Sequence, residues 1–122
     1  VMNDGSRKAA WDCDPGLLKA DKLHHVVFIV DGGPKIVSVV VDGRLCDGGE
    51  DRQYGWGRFP KEMAEVTGAD SLTVTPSLEG DLARLRLYKR FLRTSEAIAN
   101  YNADAGSMEG ASRVGITPEA CR

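Results

Sequence analysis

A long glycine-rich segment, residues 44–60, carries the side chains best suited to binding a ligand. Its aromatic rings can stack on the C–H faces of a sugar, and its planar carboxylate, amide and guanidinium groups can hydrogen bond the sugar hydroxyls. The same rings can instead fold inward, with Trp56 and Phe59 filling the interior. The candidate ligand-binding residues are Trp56, Tyr54, Asp47, Arg52 and Gln53.

Two adjacent histidines, His24 and His25, are the next groups with chemical potential. They open an apolar run, so in a strand their imidazoles point to opposite faces and cannot chelate one metal ion together. No serine or cysteine nucleophile is visibly matched to either ring. We expect one histidine to be packed and hydrogen bonded and the other to be exposed.

The chain has three cysteines, and their spacing fits no zinc motif. Cys13 and Cys46 each follow a predicted strand or turn and can lie at the same end of a sandwich. Either a disulfide or two free thiols fits that placement. Cys121 is left over in the C-terminal segment.

A β-hairpin is the element most strongly predicted to position these groups. The apolar, β-branched runs Val26–Val30 and Ile36–Val41 have no helical polar face and are separated by Asp-Gly-Gly-Pro. The break is too short for a crossover helix, so the strands must be antiparallel. Pro34 has no amide proton and belongs in the turn.

The other predicted elements are shorter. Thr94 or Ser95 is expected to cap a helix that ends near Tyr101, with Glu96 in its first turn, followed by a frayed tail. Three short strands and one helical turn complete the prediction: strands at Lys8–Trp11, Ser71–Thr75 and Leu82–Tyr88, and the turn at Lys61–Val66.

Length and charge exclude several classes of protein. The chain has 122 residues, 16 basic and 18 acidic side chains, and a formal net charge of −2. This size suits one domain. The two charge signs are interspersed, which predicts no nucleic-acid surface. No apolar run is long enough to cross a membrane, and the first residues lack the apolar core of a signal peptide.

An ordered set of weak motifs over roughly residues 8–103 resembles the concanavalin A-like lectin/glucanase superfamily, specifically laminin G-like jelly-roll domains. These motifs fall in the C-terminal half of such domains, so the chain looks like the rear portion of a jelly roll. They are Leu23-His24-His25-Val26, Asp31-Gly32, Val41-Asp42-Gly43, the run Leu85-Arg86-Leu87-Tyr88-Lys89-Arg90, and Thr94-Ser95-Glu96-Ala97-Ile98.

The resemblance implies two further sites, each with an alternative. Lectins of this kind often bind calcium, for which the chain offers the oxygens of Asp42, Asp47, Glu50 and Asp51, although turn aspartates commonly hydrogen bond their own backbone. Related glucanases use carboxylates at an E-x-D-x-x-E spacing. Here Glu79 and Asp81 match, but Arg84 replaces the third acid and removes the general acid.

The expected fold is therefore all-β: an antiparallel β-sandwich of jelly-roll, concanavalin A-like type, lacking some strands, with a short C-terminal helix. Residues 1–103 would form the sandwich portion and residues 104–122 a flexible tail. The expected function is non-catalytic carbohydrate recognition within a larger secreted or surface protein of bacterial type, with no required cofactor and with calcium as an optional ligand. The alternatives are a structural or protein-interaction domain that dimerises, or is covered by a partner domain, through exposed sheet edges, and a glycoside hydrolase remnant.

Overall fold

The computed structural model describes residues 1–48, 56–63 and 79–108. Along the chain, the elements are six strands and one helix, and every strand pairing is antiparallel. The strands are β1 (Met2–Asn3), β2 (Lys8–Ala9), β3 (Val26–Asp31), β4 (Ile36–Val41), β5 (Arg44–Leu45) and β6 (Gly57–Arg58), and the helix is α1 (Thr94–Met108).

The predicted hairpin is confirmed and forms the centre of the fold. β3 and β4 pair along their whole length, from Val26 opposite Val41 to Asp31 opposite Ile36. Pro34 lies in the turn, as expected, and Lys35 ends that turn with a φ of 60°. Asp31 stabilises the turn by accepting a hydrogen bond of 3.1 Å from the Gly33 amide.

A second, tighter hairpin joins β4 to β5. Val41 pairs with Arg44, which leaves Asp42 and Gly43 as a two-residue turn with φ values of 49° and 73°. Positive φ at both positions is typical of a type I′ turn. Any side chain at Gly43 would also collide with the ring of Tyr101, so this turn and the helix are fitted to one another.

The two faces of the β3–β4 hairpin are covered differently. The back face, which includes Val27, Ile29 and Val40, packs against Leu92 and against Ala97 and Ile98 of α1. On the opposite, front face, Val39 and Val41 pack with Cys46 beneath Trp11, Cys13 and Leu17. β4 is the central strand of the four-stranded sheet, with β3 along one edge and β5 and β6 sharing the other.

A jelly-roll sandwich is not confirmed. The described residues form one two-stranded sheet (β1–β2) and one four-stranded sheet, and these sheets do not close. The strand predicted at Lys8–Trp11 is reduced to Lys8–Ala9. The strand predicted at Ser71–Thr75 lies outside the described residues, as does the second half of the helical turn predicted at Lys61–Val66. Its described part is a turn closed by a hydrogen bond from the Met63 amide to the Pro60 carbonyl.

The strand prediction for Leu82–Tyr88 is wrong: this segment is not assigned as a strand, and it pairs with no strand of the described ranges. Its alternating pattern has another cause. Arg84 and Arg86 both reach to the carboxylate of Asp104 on α1, so ion pairs fix the segment where we expected a β-ladder.

The helix prediction is correct in kind but wrong at both ends. Arg93 occupies the N-cap position: its carbonyl accepts from the Ala97 amide, and its own amide donates 2.8 Å to the Glu96 carboxylate. Glu96 thus supplies the returning half of a capping box. The helix then continues past Tyr101 to Met108, so residue 103 is helical. The ion pairs of Asp104 hold this added turn against the chain.

Candidate functional site

The front face of the hairpin is apolar and only partly covered. By register, Val26 lies beside Val41, Phe28 beside Val39 and Val30 beside Val37, and directly paired residues project from the same face. The β4 members at positions 39 and 41 are buried, whereas Phe28 is 71% exposed and Val30 is 45% exposed. An aromatic ring this open on a sheet face is a candidate contact for a ligand or a partner.

A groove of about 310 Å³ runs along this open part of the front face. We call it the front groove; Trp11, Phe28, Val30 and Arg58 line it together with residues of β1 and β2. Its wall is largely apolar, with one cationic residue. A cavity of this size and character suits the apolar body of a small ligand or one sugar ring.

The indole of Trp11 packs closely on the backbone of Gly57 in β6. Gly57 pairs with Val37, and any side chain at Gly57 would collide with the indole of Trp11. Glycine is therefore required at this position for the close approach. The contact fixes the ring that forms one wall of the front groove.

The predicted ligand residue Trp56 stands beside Arg58 at the edge of the sheet. The guanidinium carbon of Arg58 lies 5.3 Å from the centroid of the Trp56 ring, within range of a cation–π interaction. Trp56 is half-buried and Arg58 is exposed. A guanidinium stacked in this way can still donate hydrogen bonds from its edge. Of the two rings that could instead fill the interior, Phe59 is 8% exposed and packs inward, whereas Trp56 is partly buried.

Asp47 leaves the sheet from the same edge as Trp56. The Cys46 amide donates 2.8 Å to the Val39 carbonyl, and Gly57 pairs with Val37. The two described ends of the predicted binding loop therefore lie beside β4, one at Val39 and the other at Val37. These positions are two residues, or roughly 7 Å, apart along the strand. We call Asp47, Trp56 and Arg58 together the β4 loop edge. Tyr54, Arg52 and Gln53 lie outside the described residues.

A second polar cluster surrounds the two histidines at the start of β3. The Nδ1 atom of His24 lies 2.6 Å from a carboxylate oxygen of Asp42, and the other oxygen of Asp42 accepts from the His25 amide. The side chain of Asp42 was expected to hydrogen bond the backbone of its own turn, but its two oxygens bond the histidines instead. Its hydrogen bond raises the pKa of His24 above the ordinary value, against an opposing effect of burial.

His25 turns toward the helix, so the two rings face different partners as predicted. Its ring is tilted against Tyr101 at 5.8 Å between centroids, and its Nε2 lies 3.9 Å from Asp104. Both histidine side chains are mostly buried, which corrects the expectation that one would be exposed. The Arg86 guanidinium, followed by Arg84 and His25, lowers the pKa of Asp104.

The structure bears differently on the other candidate chemistries. Glu79 and Asp81, the pair considered for hydrolysis, are both exposed. Of the calcium candidates, Asp42 is engaged by the histidines, and Glu50 and Asp51 lie outside the described residues.

Within residues 1–48, 56–63 and 79–108, no group of three or more potential ligands could hold a metal ion. In those same ranges, no helix combines the length and apolar character needed to cross a bilayer.

The sequence did not indicate Trp11 or Phe28 as site residues. Phe28 belongs to a continuous apolar run, so the sequence does not show which face of the strand is covered and which is open. Trp11 is brought to Gly57 by a contact between distant segments, and the glycine itself was the only local signal.

Comparisons with protein-family models, with curated proteins and with solved structures return no match to this chain.

Proposed function

We propose that this chain is a non-catalytic recognition module that binds carbohydrate at the β4 loop edge. The observation that supports this proposal most is the stack of Arg58 on Trp56 at 5.3 Å, on the same sheet edge as the exposed carboxylate of Asp47. An indole face, a guanidinium edge and a carboxylate are the three groups that protein sites use to bind a sugar ring and its hydroxyls.

In this proposal each residue has a separate role. Trp56 provides the platform on which the C–H face of a sugar stacks. Arg58 orients that platform and donates to hydroxyls, while Asp47 accepts from them. Tyr54, Arg52 and Gln53, which stand between Asp47 and Trp56 in the sequence, would add a second ring and further polar groups. The adjoining front groove would accept an apolar substituent of the glycan.

The resemblance to laminin G-like domains supports the same proposal, in which the chain would act as part of a larger secreted or surface protein. It also makes calcium a ligand to be tested, with Asp47, Glu50 and Asp51 as the acids that residues 44–60 supply.

The experiment is a glycan array with the purified chain, run with calcium and with a chelator, followed by calorimetry on the best glycan. We expect Trp56→Ala to weaken binding by about 1–3 kcal/mol. Tyr88→Ala is the matched control, because Tyr88 is an exposed ring away from the loop edge, and it should bind normally. The far-UV circular dichroism of both variants should match the parent chain.

Two results would overturn the proposal. One is the absence of binding to every glycan with calcium and without it. The other is normal binding by Trp56→Ala, which would show that the indole does not touch the sugar. If Trp56→Ala unfolds, Arg58→Ala tests the same stack from its exposed side, and an unchanged affinity there would also contradict the proposal.

A second candidate function, protein interaction, is favoured by the exposure of Phe28 and Val30 on the front face. Among the described residues, β3 pairs only with β4, so its other edge is available to a second copy of the chain. Light scattering and crosslinking test this: a dimer that Phe28→Glu dissociates, without any glycan signal, would favour this function over the first.

A further inference from the structure

The two cysteines under the front face lie in contact. Cys46 is fully buried with Val39 and Val41, and Cys13 packs against that cluster from the segment that crosses it. Cys13 is close enough to contribute to the raised pKa of Cys46, and both are thiols in this structure. Their spacing allowed them to lie at the same end of the molecule, and the fold brings them together.

Hydrogen bonds that do not involve sulfur hold the segments around both cysteines. The side-chain carboxylate of Asp14, next to Cys13, accepts a hydrogen bond of 2.6 Å from the amide of Gly48, two residues after Cys46. The Cys46 amide donates 2.8 Å to the Val39 carbonyl, which holds Cys46 on β4. The Asp14 contact therefore keeps the two cysteine-bearing segments side by side, as a disulfide between them requires.

We propose that Cys13 and Cys46 form a reversible disulfide by exchange with a low-molecular-weight disulfide of the glutathione type. The thiolate of Cys13 attacks one sulfur of that disulfide, forms a mixed disulfide and releases one thiolate. The thiolate of Cys46 then attacks the Cys13 sulfur and releases the second. The two protein thiols are oxidised, and one small disulfide is reduced to two thiols.

The different burial of the two cysteines sets the order of the steps. Cys13 is half-buried and can reach an external reagent. Cys46 is buried, so a disulfide reaches it through Cys13. Burial is the largest of the effects that raise the pKa of Cys46 to about 11. Because only the thiolate attacks, the second step should be slow at neutral pH. As the pH is raised toward the pKa of Cys46, the rate of this step should increase about tenfold for each pH unit.

The bond would fix the front of the molecule. It would join the Trp11–Cys13 segment, which forms a wall of the front groove, to the strand end beneath it. A crosslink between segments so far apart in sequence restricts the unfolded chain and so raises stability. This inference does not depend on carbohydrate binding.

The test uses the full chain with Cys121→Ser, which removes the third thiol, exposed to oxidised glutathione from pH 7 to pH 9. Mass spectrometry should first show a glutathione adduct on Cys13, then its conversion to a species two mass units lighter than the reduced chain. A peptide map should join Cys13 to Cys46, and the conversion should be about tenfold faster per pH unit. The urea midpoint should rise on oxidation and return with dithiothreitol.

The control variants separate the steps. Cys46→Ala should hold the glutathione adduct on Cys13 at every pH, and Cys13→Ser should leave Cys46 unmodified until the chain is unfolded. The proposal is overturned if the adduct on Cys13 never resolves, if the crosslink joins two copies of the chain, or if both thiols stay reduced throughout. These mass readings apply to the Cys121→Ser chain itself, so the proposal stays testable even if one control fails to fold.

Discussion

The two faces of the β3–β4 hairpin are built from nearly the same residue types and have very different surroundings. On the back face, Ile29 and Val40 are buried under Leu92 and α1. On the front face, Val39 is buried by the Trp11–Leu17 segment, but Phe28 and Val30 remain open. Phe28 and Ile29 are neighbours in one strand, with exposures of 71% and 8%.

This difference separates the part of the molecule that stabilises the fold from the part available for binding. The back face is closed by a helix that is tied down at both ends: Glu96 pairs with Arg90 at its start, and Asp104 with Arg84 and Arg86 near its end. The front face has a groove and an edge of rings and charges. Burial of apolar area stabilises the fold on the back, while the exposed area of Phe28 and Val30 on the front is available to a partner or ligand.

The largest expected effect contrasts the two neighbours in β3. Ile29→Ala should lower the free energy of unfolding by about 3 kcal/mol, because it leaves a cavity under the helix. Phe28→Ala should change it by less than about 1 kcal/mol, although it removes a larger side chain. Urea denaturation of both variants measures the difference. Equal losses would mean that the front face is covered as well as the back.

The next largest effect concerns the ion pairs that hold α1. Asp104→Asn should cost about 2 kcal/mol at neutral pH, because it weakens charge-assisted hydrogen bonds from Arg86 and Arg84. The pKa of Asp104 is lowered in the fold, so its contribution is present at neutral pH and lost as pH falls through that lowered value.

Urea midpoints of Asp104→Asn and the parent chain should therefore converge in acid. Asp81→Asn is the control, since Asp81 is an exposed carboxylate outside the helix. If the Asp104→Asn difference stays constant down to low pH, the ion pairs are not what holds the helix to the back face.

The smallest effect is at the start of the helix. The Arg90 guanidinium, with help from the Arg93 amide, lowers the pKa of Glu96 to about 2 from an ordinary value of 4.5. The contribution of Glu96 is present above 4.5 and fades as pH falls toward 2. Glu96→Gln keeps a capping oxygen but loses the charge, so we expect a small fall in the urea midpoint at neutral pH.

The matched control for Glu96→Gln is Glu62→Gln, because Glu62 is exposed and its carboxylate pairs with the exposed side chain of the adjacent Lys61 at 3.7 Å. A larger loss from Glu62→Gln than from Glu96→Gln would contradict the assigned capping role.

The local elements that the sequence predicted correctly depend on short-range rules. The hairpin follows from two β-branched runs and a break that contains Pro34. The Asp-Gly turn at Asp42 and Gly43 has the backbone that this dipeptide favours. The helix was located to within a residue at its start, and its longer end depends on an ion pair to Asp104 that no local pattern encodes.

What the sequence missed depends on contacts between distant segments. The alternation of residues 82–88 is typical of a strand, but Arg84 and Arg86 bind the helix instead. Both faces of β3 are apolar, so only the placement of α1 determines which one is closed. For the candidate site, the sequence indicated Trp56 and Asp47, and the fold added Trp11, Phe28 and the stack of Arg58.

The most direct test of an open front face and a closed back face is NMR with a soluble paramagnetic probe, which relaxes protons according to their exposure. The account predicts strong relaxation of the Phe28 ring and the Val30 methyl groups and little effect on Ile29 and Val40. Equal protection of Phe28 and Ile29 in the free chain would contradict it, because the surface assigned to recognition would already be covered.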